Sequence, residues 1–332
     1  WSPDGNSIAF IRMNGGGGAP DSILTRRHLP WSIWRAEVAT GNASQLYKAP
    51  TTLRGSLPNT HGGTNLHWAR NDRIAILSYQ DGWPHLYSIP ASGGKETLLT
   101  PGNFMAEHIS LSPDKKSLLF SANTGNEAND LDRGHVVRVA VDKPGIQVLT
   151  PGSGLEWMPV MAGDGSSVFF FSASAQRPPV PAVLNLTAKK PAQLIGDEFI
   201  PQGFPSTQLV TPKKVTFPSS DGITVHADLF EPPATQAKKA AIVYIHGGPP
   251  RQMLLGWHYS DYYSNAYALN QYLASQAFVV LSVNYRLGIG YGFDFHQPAN
   301  AGTSGASEYL DIKAAGEWLA KQPTVDPARI GV

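Results

Sequence analysis

The sequence contains no cysteine. Disulfides and thiolate metal sites are therefore excluded, while the redox compartment stays open. There is no apolar run of about 18 residues, the length that marks a membrane-spanning helix, so no membrane span is expected. Neither sign of charge is in excess: 26 basic and 25 acidic residues leave a net charge of +1. No basic cluster is present, which argues against a nucleic-acid partner. His67, His85, His108 and His135 are scattered without ligand spacing, so neither a metal nor a cofactor is expected. The motif Gly-x-Ser-x-Gly is absent throughout. The chain opens in mid-motif at Trp1-Ser2-Pro3-Asp4-Gly5, with no initiator methionine and no signal-peptide pattern. Processing or truncation upstream is the expectation.

What is present is turn formers and strand formers. The 332 residues include 33 glycines, 27 prolines and, among aromatics, 8 Trp, 12 Tyr and 13 Phe. Such a composition favours many short strands. A weak repeat runs through the first two thirds, in which a polar turn leads into a β-rich run. Trp1 to Gly5 leads into Ile8–Ile11, and His67 to Asp72 into Ile74–Leu77. Leu111 to Asp114 leads into Leu118–Phe120, and Met161 to Gly165 into Val168–Phe171. A second strand follows in each unit: Ile33–Ala36, Leu86–Ile89, Val136–Val139 and Ala182–Asn185. Short last strands are expected at Lys95–Thr100 and Ile146–Thr150. Two of the spacings are roughly 45 residues, the length of a four-stranded propeller blade. The first is lengthened by an insertion, Asn14 to Pro30.

The expectation is about four blades of a β-propeller over 1–198, with further blades upstream, since propellers close with about 4–8. A generic β-sandwich with Pro-Asp turns is the alternative. Phe199 to Thr211 lacks periodicity and reads as a crossing, placed at 199–212.

From 213 to 332 the pattern changes. Val215–Phe217 and Val225–Phe230 flank Ser219-Ser220-Asp221-Gly222, a hairpin signal. Ala240–Ile245 and Phe278–Val283 read as buried parallel strands. Tyr267–Gln276 and Ser307–Lys321 read as helices, the second with Leu310, Ala314 and Trp318 on one face. Arg329–Val332 begins a further strand. Hairpin, strand, helix, strand, helix, strand is the opening of an α/β-hydrolase sheet, incomplete at its C-terminal end.

His246-Gly247-Gly248-Pro249 ends the third of these strands. Acyl transfer develops an oxyanion, and backbone N–H groups are aimed at it. Glycines let a carbonyl approach the backbone closely. The plain alternative is a Gly-Gly-Pro turn, with His246 holding the loop by a hydrogen bond. Asn284, Tyr285 and Arg286 end a parallel strand at its carboxyl edge, the ligand side of such sheets. Arg286 either binds substrate or braces loops. Gly288, Gly290 and Gly292 do not open a helix and are not read as a phosphate loop. Asp311 and Asp326 are read as structural.

These segments resemble the prolyl oligopeptidase family of serine peptidases, on the acylaminoacyl-peptidase and dipeptidyl-peptidase side. The Ser-Pro-Asp-Gly repeats resemble TolB-type and dipeptidyl-peptidase propellers. The resemblance extends through Lys214–Phe217 with Asp221-Gly222, His246–Pro249, Ser282–Arg286, Gly288–Gly292 and Asp326–Val332. It implies that Gly248, with Gly247 beside it, donates to the oxyanion, and that His246, Pro249, Asn284, Tyr285 and Arg286 support the substrate loop. Dipeptidyl-peptidase-IV-type relatives have a tyrosine where His246 stands, which favours the acylaminoacyl-peptidase style. The dipeptidyl-peptidase class anchors the substrate amine on a Glu-Glu pair from the propeller, and none occurs in this sequence.

The implied function is hydrolysis of short or N-acylated peptides through a Ser acyl-enzyme, with Ser, Asp and His beyond residue 332 and this chain inactive alone. A propeller-fused esterase and a non-catalytic propeller binding protein are the alternatives. Peptide is the implied partner, and an oligomer is left open. The absent cysteines and the TolB-like propeller lean towards the bacterial periplasm. Ending at Val332 is expected to leave the last strand unpaired on one side and the C-terminal third partly molten.

Overall fold

A computed structural model describes residues 1–13, 26–58, 60, 63–125, 130–188, 190–233, 237–302 and 305–332. The insertion read at Asn14 to Pro30 lies largely outside them.

Four antiparallel sheets follow one another along the chain, each a simple meander. The first holds β1 (Ser7–Met13), β2 (Trp31–Glu37) and β3 (Ala43–Lys48). The second holds β4 (His67–Ala69), β5 (Arg73–Ser78), β6 (His85–Pro90) and β7 (Thr97–Leu98). The third holds β8 (Ala106–Leu111), β9 (Ser117–Ala122), β10 (His135–Ala140) and β11 (Ile146–Val148). The fourth holds β12 (Leu155–Met161), β13 (Ser167–Ala173), β14 (Val180–Asn185) and β15 (Gln193–Leu194). These are propeller blades.

The Ser-Pro-Asp triplet has a local cause. Asp114 accepts from the Ser112 hydroxyl at 2.7 Å and from the Lys116 N–H at 3.0 Å, while Ser112 Oγ accepts from the Ser117 N–H at 3.0 Å. The triplet at Ser2 repeats this, with Asn6 N–H on Asp4 at 3.0 Å and Ser7 N–H on Ser2 Oγ at 2.9 Å. Side chains thus satisfy the backbone donors of a tight turn and fix where the next strand begins.

A blade buries its two faces against its neighbours. Ile33 and Trp31 pack with Ile74, Ile76 and Ile89 across the first seam. Leu77 and Leu86 meet Phe104, Leu118 and Phe120 across the second. Leu119 and Val136 meet Val168 and Phe170 across the third. This stacking of apolar layers is what makes one blade dependent on the next.

The last sheet is of a different kind. It contains β16 (Lys213–Pro218), β17 (Thr224–Phe230), β18 (Lys239–Ile245), β19 (Val279–Asn284) and β20 (Val325–Gly331), in the order β16-β17-β19-β18-β20. The hairpin is antiparallel, whereas β18 runs parallel to both β19 and β20. Helices α1 (Asp261–Ser275), α2 (Phe293–His296) and α3 (Tyr309–Ala320) complete the unit. This is the N-terminal half of an α/β-hydrolase sheet. Its core joins Val225, Leu281 and Val283 to Ala315 and Leu319 of α3.

Three boundaries differ from the sequence reading. Helix α1 begins at Asp261, six residues before Tyr267. Its buried stripe is Tyr263, Ala266, Tyr267, Asn270, Gln271 and Ala274, helical in spacing but half polar, so hydropathy alone understates it. Helix α3 begins at Tyr309 rather than Ser307. Strand β20 begins at Val325, because a register shift opposite Lys239 to Ala241 accommodates Pro327. Asp326 sits inside that irregularity, accepting from Ala328 N–H at 3.1 Å and Arg329 Nε at 2.7 Å.

Propeller and hydrolase sheet meet through buried polar contacts. Asn123 Nδ2 donates to the Gly290 carbonyl at 2.8 Å, and Gln252 Nε2 to the Leu131 carbonyl at 2.6 Å. Lys214 Nζ pairs with Asp132 at 2.7 Å, and Tyr291 donates to the same carboxylate. Gly290 has φ +97°, and a Cβ there would lie 2.3 Å from the Gln252 amide. Close domain approach therefore explains the glycine.

Candidate active site

Parallel strands present their carboxyl ends to ligands, so the site is built from the ends of β18 and β19. Strand β18 delivers His246, Gly247 and Gly248. Gly248 adopts φ +60°, a left-handed conformation that glycine takes without strain. Both glycines are exposed, and a Cβ on Gly247 would meet nothing within 4 Å. Neither N–H donates to any described residue. The Gly247 carbonyl is turned away and accepts from the Tyr263 hydroxyl of α1.

The loop is gripped from behind. His246 is 1% exposed, its ring stacks on Tyr285 at 4.6 Å, and its carbonyl accepts from the Tyr285 hydroxyl at 2.9 Å. Burial lowers the His246 pKa to about 4, so the imidazole is neutral at ordinary pH. It shapes the loop rather than carrying protons. Asn284 holds the next stretch: its Oδ1 accepts from Met253 N–H at 2.7 Å and its Nδ2 donates to the Met253 carbonyl at 2.9 Å. Pro249 leads into Pro250 and Arg251, which form one wall of the cavity described below.

Arg286 is 1% exposed. Its Nε donates to Asp311 Oδ2 at 2.9 Å, one Nη to Asp221 Oδ1 at 2.9 Å and to Ser219 Oγ at 3.1 Å. The guanidinium holds the Asp221 carboxyl down at about 2, through the hydrogen bond first and charge second. Arg286 thus ties the hairpin turn to α3 and to the end of β19. Of the two roles open to it in the sequence, this is the bracing one. Asp311, fully buried, is its structural partner.

In front of the loop lies a cavity of about 450 Å³ between the two units, lined by Glu107, His108, Met158, Arg251, Tyr259 and Ile289 among others. The propeller side was not anticipated. Strands β8 and β12 each carry a bulge, between Glu107 and Ser110 and between Trp157 and Val160. At the bulges His108 has φ +51° and Met158 φ +54°. A bulge re-aims side chains, and here it does so at the same place in two adjacent blades. Glu107 is the acid of this cavity. Burial pushes its pKa up to about 7, with Arg251 opposing. A buried carboxyl without a bonded cation is costly to ionise, and a cationic ligand group would relieve that cost.

Comparisons with known proteins bear on the fold that carries this site. Residues 45–179 match the sequence model of the dipeptidyl peptidase IV N-terminal region, and residues 265–332 match that of the prolyl oligopeptidase family. Over these two separate spans, neither of them half of the chain, the sequence is similar to those families. One relative, an uncharacterized peptidase YuxL of Bacillus subtilis, is 30% identical over 169 residues, 49% of this chain and 24% of the relative. A puromycin-hydrolyzing peptidase of Mycobacterium tuberculosis superposes with a TM-score of 0.75 at 18% identity, over 99% of this chain and 48% of that one. Dipeptidyl peptidase 4 of Porphyromonas gingivalis gives 0.65 at 16% identity, over the whole chain and 55% of the other. At these identities the structural likenesses speak to fold. The chain spans about half the length of these solved structures and a quarter of the curated relative. Among the described residues no helix is long and apolar enough to cross a membrane.

Proposed function

We propose that this chain is the propeller and oxyanion-loop portion of a serine peptidase that hydrolyses short peptides through an acyl-enzyme, and that residues 1–198, 199–212 and 213–332 are its propeller, crossing and hydrolase portions. The observation that carries the reading is the Gly247–Gly248 segment. Its N–H groups are unspent, its glycines are open to an approaching carbonyl, and its back is fixed by Tyr285 and Tyr263. Preorganised donors of this kind stabilise a tetrahedral oxyanion by about 3 kcal/mol each. The carboxyl end of β20 lies beside that of β18, with Gly331 opposite Ile242. A nucleophile delivered after β20 would stand next to Gly248, as the strand–elbow arrangement of these sheets requires. The sequence contains no Gly-x-Ser-x-Gly, so in this reading nucleophile, Asp and His come from sequence after Val332, and residues 1–332 alone do not turn over substrate.

Glu107 refines the substrate class. A buried acid in the cavity before the oxyanion loop favours peptides with a free amino group over N-acylated ones. The test is turnover of alanyl p-nitroanilide, its N-acetyl derivative and p-nitrophenyl acetate by the full-length protein. Faster turnover of the free-amine anilide supports the reading. Preference for the ester points to an esterase, and preference for the acetylated anilide removes the role of Glu107.

A further inference from the structure

Strand β17 turns Val225, Ala227 and Leu229 into the core that includes α3. By alternation Asp228 and Phe230 face the other side of the sheet, under α1. Phe230 meets Tyr267 of α1 edge-on at 5.4 Å, and Asn270 lies about one helical turn further along the same buried stripe. Ser282 stands directly opposite Asp228 in the β17–β19 pairing, so their side chains are neighbours on that face. Asp228, Asn270 and Ser282 all line one small cavity of about 10 Å³, room for a single water-sized occupant.

Oxygen acceptors are left unspent around it. Asp228 is 1% exposed and Asn270 2%. Neither carboxyl oxygen of Asp228, nor Oδ1 of Asn270, has a hydrogen-bond partner among the described residues. Other polar groups of the lining are engaged elsewhere. His258 uses both ring nitrogens, on the Gln252 carbonyl and the Ser260 N–H, and the Tyr267 and Tyr263 hydroxyls donate to the carbonyls of Ala175 and Gly247. Charge points the same way. Lys214, opposite Asp228 on β16, pairs with Asp132 at 2.7 Å. Burial first and the Asp132 charge second push the Asp228 pKa well above the usual carboxylate range, with Lys214 and Arg133 opposing. A buried carboxylate with bare oxygens is costly, and a cation between such oxygens offsets the cost.

We propose that this cavity binds one alkali cation of about the size of sodium, through the side-chain oxygens of Asp228, Asn270 and Ser282. The donor set is hard oxygen, which disfavours zinc and copper. One carboxylate balances one positive charge. A cavity of this size has no room for the waters that magnesium keeps, and calcium asks for about 6–8 oxygens. The inference concerns binding only and does not rest on the peptidase reading.

The test is urea unfolding of the full-length protein at pH 8 over about a hundredfold range of sodium chloride. Choline chloride, whose cation is too large for the cavity, holds the ionic strength and so the screening constant. Above its dissociation constant, one bound ion raises the folding constant about tenfold, or about 1.4 kcal/mol, for each tenfold rise in sodium. A logarithmic slope near one is therefore expected. Asp228→Asn, nearly isosteric, and Asn270→Leu should each flatten it. Asp261→Asn, an exposed acid at the start of α1, is the control for bulk charge and should leave the slope unchanged. A slope near zero in the unaltered protein would overturn the proposal and leave Asp228 a buried neutral acid. A slope retained by both Asp228→Asn and Asn270→Leu, or lost equally in Asp261→Asn, would overturn it as well.

Discussion

Tyr285 holds His246 twice, by a 2.9 Å hydrogen bond to its carbonyl and by stacking at 4.6 Å on its ring. The residue just after β19 thereby sets the direction in which the β18 loop leaves the sheet. Tyr285→Phe keeps the stack and removes the bond. The expected cost is about 1 kcal/mol of stability. In the full-length protein kcat should fall while KM stays near its original value, because the loop acts on the transition state. Steady-state kinetics on an aminoacyl anilide checks this, and an unchanged kcat would show that the bond does not matter to the loop.

Arg286 presents a harsher case. Removing a buried guanidinium from two carboxylates leaves buried charge without a partner. Arg286→Met is expected to destabilise by about 3–5 kcal/mol, read from denaturant unfolding. Arg286→Lys should recover only part of that loss, since an ammonium cannot serve Asp221, Asp311 and Ser219 together. A near-wild-type midpoint for the methionine variant would mean that the network contributes little.

Much of this was legible in the sequence, and the failures have physical causes. Ser112-Pro113-Asp114 announces its turn because side-chain oxygens must cap specific N–H groups. Ile242 and Val280 announce buried strands because both faces of that sheet are covered. Glu107 and Met158 stayed hidden. Their strands are bulged, so the alternation that marks a half-buried strand is broken at His108 and Met158. The residues nearest the cavity are those whose local pattern is least regular. Arg286 was recognisable as important, but only the fold shows it bonded to Asp311, 25 residues on.

Gly248 and Gly247 should respond differently to alanine. At φ +60° an L-residue is strained by about 1–2 kcal/mol, so Gly248→Ala should turn the loop and cut kcat/KM by about tenfold or more. Gly247 lies outside the left-handed region and has open space at its Cβ position. Gly247→Ala should fold normally and lose less activity. Equal losses would contradict the assignment of the donor to Gly248.

His135 makes stability depend on pH. Burial alone would depress its pKa, but hydrogen bonds and charge from Asp130 and Glu156 raise it to about 9; Glu156 accepts from its Nδ1 at 3.0 Å. A histidine whose folded pKa lies above its unfolded value near 6.5 stabilises fully below that value and loses the contribution as pH rises towards 9. The unfolding free energy measured from pH 6 to pH 9.5 should fall, by an amount on the order of 3 kcal/mol, and His135→Gln should flatten that limb. A midpoint that rises over this window would reverse the sign.

The most direct measurement maps the serine that a phosphonofluoridate labels in the full-length protein, by mass spectrometry of its proteolytic peptides. The account predicts one labelled serine, in a Gly-x-Ser-x-Gly within a few residues of Val332, with loss of peptide hydrolysis in proportion to labelling. Labelling at a serine far from β20, or undiminished hydrolysis by fully labelled protein, would contradict the placing of the reaction beside Gly248.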